Sequence, residues 1–119
     1  MAARVLSGLD RIAAGAAAAV ARVRGRRVGL VAHPASVDHR LRHALDVLRE
    51  AGADVRALFG PEHGFGGAAQ DMIAVGEGER TAEHAGAPLH TLYGGAEASL
   101  SPTAAAMAGL DAMVVDLMD

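Results

Sequence analysis

Four short apolar runs set the tightest limit on what this chain can fold into. The first, Val28-Gly29-Leu30-Val31-Ala32, shows no polar alternation, the mark of a strand covered on both faces of a parallel sheet. Segments 55–59, 88–93 and 112–117, also rich in apolar residues, read as three further strands. Parallel neighbours cannot be joined by tight hairpins, so helical crossovers must lie between them. Leu9, Ile12, Ala16, Val20 and Val23 recur at helical spacing behind Ser7-Gly8-Leu9-Asp10, which has the spacing of a capping box, and predict a helix over 8–24. Asp38 is placed to cap a second helix with Leu41, Ala44, Leu45 and Leu48 on one side and Gly52 at its end. Ser101-Pro102 reads as a cap and first helical residue of a third, running to Gly109. Helix, strand, helix, strand, long loop, strand, helix, strand predicts one α/β domain over 1–119. Its architecture is three-layer and Rossmann-like, a mostly parallel sheet of about four strands with flanking helices. Because the last run stops at Asp116-Leu117-Met118-Asp119, the fold is expected to be incomplete, without that strand's return connection and next neighbour.

Composition narrows the function. Hydrophobic residues make up 51% of the 119, enough for a packed core, but only 3% are aromatic, so small aliphatic side chains must fill it and the stability margin is expected to be thin. All 11 basic residues are arginine, scattered apart from Arg22, Arg24, Arg26 and Arg27, and the net charge is -3; nucleic acid is not an expected partner. Without cysteine, disulfide frameworks, thiolate zinc sites and cysteine nucleophiles drop out together. The alanine-rich run 13–21 follows Asp10 and Arg11 and makes a poor signal-peptide core, and no stretch approaches the ~20 apolar residues of a membrane span. A cytoplasmic protein without membrane contact is expected.

Ligands of open parallel sheets sit outside the carboxyl ends of the strands. Four places are thereby nominated: His33; Pro61, Glu62, His63 and Gly64; Tyr93, Gly94 and Gly95; and Asp116 with Asp119. The sharpest local pattern is Pro61-Glu62-His63-Gly64-Phe65-Gly66-Gly67, where proline and glycines fix the backbone that presents Glu62 and His63. A glycosidase needs one carboxylic acid to protonate the departing oxygen and commonly a second carboxylate as base or nucleophile. Glu62 fits the acid, or caps a backbone amide in a glycine-rich turn; spacing does not choose. Asp116 fits the second carboxylate, or turns toward a helix N-terminus. His33 and His63 can orient substrate, take a proton, or bond to backbone at a strand end, and neither lies in HxH or HExxH, so no metal site is expected. His39, His43, His84 and His90 lack a partner pattern and read as surface or packing residues. The segment 64–67 has neither GxGxxG nor GxxxxGK[ST] spacing, and no nucleotide or other cofactor is expected.

Taken in order, Ser7-Gly8-Leu9-Asp10, Arg27-Val28-Gly29-Leu30-Val31, Ser36-Val37-Asp38, Leu41-Arg42-His43-Ala44-Leu45-Asp46-Val47-Leu48, Ala57-Leu58-Phe59-Gly60-Pro61-Glu62-His63-Gly64-Phe65, Leu92-Tyr93-Gly94 and Leu110-Asp111-Ala112-Met113-Val114-Val115-Asp116 resemble successive blocks of the NamZ-type exo-β-N-acetylmuramidases. The Phe59–Phe65 block is specific; the others are weak singly. The resemblance implies a Rossmann-like catalytic domain, without nucleotide cofactor, that releases terminal N-acetylmuramic acid from peptidoglycan fragments. By that likeness Glu62 sits in the motif that carries the proposed catalytic glutamate, with His63 beside it, and Ser36-Val37-Asp38 matches a family loop near the sugar; from their strand-end positions Asp116, or a residue beyond Asp119, is expected to assist, and His33, Gly64 and Tyr93 to bind substrate. Ala32-His33-Pro34 stands where many members carry a Thr-Asn pair.

The resemblance also implies further sheet and a second domain beyond the block ending at Asp119. Two functions follow as expectations: a fragment of a glycoside hydrolase acting on a peptidoglycan-derived sugar or muropeptide, or a non-catalytic muropeptide-binding or oligomerising module, self-associating through an exposed sheet edge. Metal-assisted hydrolysis through His33, His63 and Asp116 ranks below both.

Overall fold

The computed structural model describes residues 3–60, 87–92 and 101–117. In chain order the elements are α1 (Gly8–Ala13), α2 (Ala17–Val20), β1 (Arg27–Ala32), α3 (Ala44–Glu50), β2 (Asp54–Gly60), β3 (Leu89–Thr91), α4 (Ala104–Met107) and β4 (Ala112–Asp116). The four strands form one sheet in the order β3-β2-β1-β4, and every neighbouring pair is parallel. The expected Rossmann-like α/β sheet is therefore present. From β1 the chain moves outward through β2 to β3, then returns to place β4 on the other side of β1. The strand order thus reverses between β1 and β4.

Two apolar layers sandwich the sheet. On one face Leu9 of α1 and Ala44, Leu45, Val47 and Leu48 of α3 pack over Val28, Leu30, Val55 and Leu58. On the other, Val31, Ala57 and Phe59 lie under Ala106, Leu110 and Met113. Leu30, Leu48, Leu58 and Phe59 are fully buried, each worth roughly 1.5–3 kcal/mol of transfer free energy. Only a hydrogen side chain fits at Gly29: a Cβ there would lie 2.6 Å from the Met113 sulfur, 2.7 Å from Leu110 Cδ1 and 3.0 Å from the Phe59 ring. A register shift interrupts the β1–β2 pairing, since Val28 faces Val55 but Gly29 faces Ala57. The bulged residue, Arg56, points to solvent, and its insertion puts Val55 and Leu58 in one layer and Ala57 and Phe59 in the other.

Three helix boundaries differ from expectation. The helix read as 8–24 is two, because Gly15 adopts a left-handed φ of 75° and ends the first after its capping box, where Ser7 Oγ accepts from Asp10 N and the Asp10 carboxylate accepts from Ser7 N. Asp38 does not cap the second helix; His43 does, its Nδ1 accepting from Leu45 N at 3.2 Å. Asp38 instead satisfies the preceding turn, accepting from the backbone N–H groups of Arg40 and Arg42 and from Arg42 Nε. Thr103, not Ser101, caps the third, its hydroxyl accepting from Ala106 N. Gly52 ends α3 as expected, with φ 93°. Among the described residues no helix is long and apolar enough to cross a membrane.

Candidate functional site

Where strand order reverses, the loops leaving the two central strands part in opposite directions and open a crevice at their carboxyl ends. Here that crevice lies between β1 and β4, which are in register from Val28↔Ala112 to Ala32↔Asp116. His33 follows β1 directly, Ser36 lies three residues on, and Asp116 is the last residue of β4. The sequence nominated all three, and the fold brings them together. Glu62, His63, Gly64 and Tyr93 lie outside the described residues, as does Asp119.

Ser36 is the knot of the crevice. Fully buried, its hydroxyl donates to the backbone carbonyl of Asp116 and accepts the His33 N–H at 3.0 Å. Its own N–H donates to the His33 carbonyl at 3.0 Å. The His33 imidazole folds back over this turn, with Nδ1 accepting from Ala35 N at 3.1 Å and 3.3 Å from Ser36 Oγ. An Nδ1 that accepts leaves the neutral ring's proton on Nε2. The carboxyl ends of β1 and β4 are thus tied by a serine, not merely adjacent.

Against this backbone order, the Asp116 side chain is unsatisfied: its Oδ2 is buried and has no hydrogen-bond partner among the described residues. Burial pushes its carboxyl above the ordinary carboxylate range, opposed by the charges of His33 and His43 and reinforced by Asp10. A carboxyl in that condition is primed to take a proton or to accept a hydrogen bond from a hydroxyl-bearing ligand. Asp10 is its opposite. Both oxygens are used, Oδ1 by the backbone N–H and Nδ1 of His39 at 2.8 and 2.9 Å and Oδ2 by Ser7, and its carboxyl is held far below the usual range.

Three histidines read from sequence as surface or packing residues have definite partners. His39 pairs with Asp10 as above. His90 stacks on Phe59 with ring centroids 5.3 Å apart. His43 donates from Nε2 to the His33 carbonyl at 2.9 Å while capping α3 through Nδ1. No sequence pattern announced that reach, because it connects residues ten apart across a turn. His84 lies outside the described residues.

A groove of about 610 Å³ also runs along β4 and α1, lined by Leu9, Ile12, Val23, Met113, Val114 and, at its end, Asp116. Its wall is mostly aliphatic because β4 is an edge strand here, with Val115 64% and Leu117 48% exposed. Converging polar groups, not apolar wall, orient a sugar, so the crevice at His33, Ser36 and Asp116 is the stronger site. Among the described residues no three His, Asp or Glu side chains gather as a metal site.

The sequence model of the family described as "Exo-beta-N-acetylmuramidase NamZ, N-terminal" matches residues 28–119. The chain is 36% identical over 99 residues to the peptidoglycan β-N-acetylmuramidase NamZ of Bacillus subtilis strain 168, an alignment covering 82% of the chain and 22% of that protein. Two crystal structures of DUF1343 family proteins from Bacteroides fragilis NCTC 9343 share its fold. One superposes over 100% of this chain and 27% of its own with a TM-score of 0.75 and 28% identity. The other covers 98% and 26%, with a TM-score of 0.64 and 24% identity. The chain therefore spans about a quarter or less of the length of these relatives.

Proposed function

The chain belongs to the exo-β-N-acetylmuramidase NamZ N-terminal family, and from that premise we propose that it supplies one wall of the active site of a glycoside hydrolase acting on peptidoglycan-derived sugars, releasing terminal N-acetylmuramic acid. The observation that carries this reading is the buried Asp116 oxygen at the β1–β4 reversal, without a hydrogen-bond partner among the described residues, in a chain of this family. A site evolved only for stability would pair that oxygen; a sugar hydroxyl or an attacking water pairs it on binding.

In the proposed reaction Glu62 gives its proton to the departing glycosidic oxygen as the C–O bond breaks. The second carboxylate, Asp116 or a residue beyond Asp119, takes a proton from the attacking water or attacks the anomeric carbon itself. His63 flanks the acid. His33 and Ser36 shape the floor under the sugar, and Gly64 and Tyr93 complete its surroundings. No cofactor enters the scheme, and a cytoplasmic setting in the reuse of wall fragments suits it.

Turnover of a chromogenic N-acetylmuramic acid glycoside tests the reading. In a protein that carries the whole site, Glu62→Gln is expected to lower the rate by on the order of 10²- to 10⁴-fold without unfolding it, since an amide keeps the shape but gives up no proton. A near-normal rate for that variant removes Glu62 from the role.

A second reading is favoured by the exposed flank of β4: a non-catalytic module that binds muropeptides or pairs with itself along that edge. Saturable heat on titrating a muramic-acid-containing disaccharide, with no turnover, selects binding alone. Sedimentation that stays monomeric across a concentration series excludes self-association through β4.

A further inference from the structure

His43 sits where a serine or aspartate would ordinarily cap a helix, yet its ring works at both ends. Nδ1 accepts the Leu45 N–H of α3 at 3.2 Å, so that nitrogen carries no hydrogen. Nε2, which must then carry it, lies 2.9 Å from the His33 carbonyl and donates to it. Around the ring the backbone is closed: Ala44 N donates to Ser36 O at 2.8 Å, and Val37 and His43 form an isolated antiparallel bridge. The same His33 carbonyl also receives the Ser36 N–H, and Ser36 in turn holds the Asp116 carbonyl. One neutral ring therefore ties the start of α3 to the end of β1, and through Ser36 to the end of β4.

We infer that His43 is the positioning residue of the β1–β4 crevice, its Nε2–H tautomer fixing the His33 peptide and so setting where the His33 imidazole and the Asp116 carboxyl face the space between the strands. A proton added to Nδ1 would point at the Leu45 N–H, setting donor against donor and releasing cap and brace together. Among the described residues the charged and titratable groups near the ring include His33 after β1, Asp116 from β4, Asp46 in the first turn of α3, the Asp38–Arg42 pair on the turn before it, and Asp10 of α1, which acts on Asp116. The inference rests on the sugar-site reading only for what fills the crevice.

The test is long-range ¹H–¹⁵N spectroscopy of the whole 119-residue chain, labelled at histidine, from pH 8 to pH 5. At pH 8 His43 is expected as the Nε2–H form with a bare Nδ1, and on acidification the Leu45 amide and the His33 ring should respond in step with it. An Nδ1–H form at pH 8, or a His33 ring indifferent to the state of His43, overturns the inference. His43→Asn separates the two jobs, because asparagine caps helices well but is too short to reach the His33 carbonyl. Its melt should stay within a few degrees of wild type while the His33 ring signals shift. If those signals stay put, His43 is a cap and nothing more. If His43→Asn does not fold, the wild-type tautomer and its coupled response decide alone. Affinity for a muramic-acid-containing disaccharide should fall roughly three- to tenfold in the variant, the scale of one hydrogen bond. A wild-type chain that shows the tautomer but binds no sugar removes the muropeptide-binding module reading and leaves the positioning role standing.

Discussion

Strand β4 is flanked by an aspartate at each end, and the two have opposite fates. At the entry, Asp111 makes a two-pronged pair with the Arg27 guanidinium, 2.8 Å to Nη2 and 3.1 Å to Nε, and also accepts the Arg27 N–H at 2.9 Å. Those bonds from Arg27 hold its carboxyl down to about 2. At the exit, Asp116 keeps a buried oxygen without a partner among the described residues, and burial drives its carboxyl the other way. Same residue type, at the two ends of one strand and five positions apart: the entry aspartate holds β1 beside β4, and the exit aspartate keeps a carboxyl oxygen uncommitted among the described residues. Strand ends of α/β sheets divide labour in this way because loops at the carboxyl ends converge on ligand.

The contrast breaks most visibly if the exit aspartate proves structural. Asp116→Asn should cost turnover of a muramic acid glycoside on the order of 10²-fold or more while raising the melting point at pH 7, since it removes a carboxylate charge that burial disfavours. A variant that melts lower and works normally would reverse the assignment. Next in size is the middle of the same strand pair. Gly29→Val forces side-chain atoms into Met113, Leu110 and Phe59 and should destabilise by about 1–3 kcal/mol, read by chemical denaturation. Ser7→Ala removes the capping box that anchors α1 over this sheet and should cost about 1 kcal/mol. The smallest effect belongs to the entry: Asp111→Asn should lower the melting point slightly and leave disaccharide affinity unchanged, because exposed ion pairs contribute little.

Acid titration sharpens the same comparison. Asp116 has a folded pKa above its unfolded one, so the native chain binds that proton more tightly and the stability it withholds near neutrality returns as pH falls through its folded value. Asp111 has a folded pKa below the unfolded one, so its contribution is whole above about pH 4 and is lost as pH falls toward about 2. Asp10 adds to that loss, its carboxyl being held down by His39. Melting points measured from pH 7 to pH 2 should therefore hold or rise slightly before they collapse, and Asp116→Asn should flatten the first part only.

The strands were readable because buried parallel strands leave continuous apolar runs, and each of the four was found within one or two residues of its predicted ends. Helix ends were harder. An alanine run around Gly15 favours unbroken helix by propensity, and nothing local says that the chain must turn there. Asp38 and Ser101 have better capping chemistry than His43, and Thr103 was passed over, but which residue caps depends on where the loop's other donors go. Asp38 was already engaged by the Arg40 and Arg42 amides. In the site, Asp116 and His33 followed from the topology of an open sheet. The work of Ser36 and His43 did not, because it is done by bonds to main-chain carbonyls, which every residue has and no motif marks.

The bulge at Arg56 makes the place of a length change in β2 matter more than the change itself. Deleting that arginine would restore the simple alternation of the strand and keep Val55 and Leu58 in one layer and Ala57 and Phe59 in the other, whereas losing Leu58 would turn Phe59 through half a revolution into the layer built for leucine. Lineages descended from such a chain can exchange one aliphatic residue for another along β2 by small steps. They can shed Arg56 without refilling either layer but cannot lose a residue between Ala57 and Gly60 in that way, so the spacing from Ala57 to Gly60 should outlast most of the letters that occupy it.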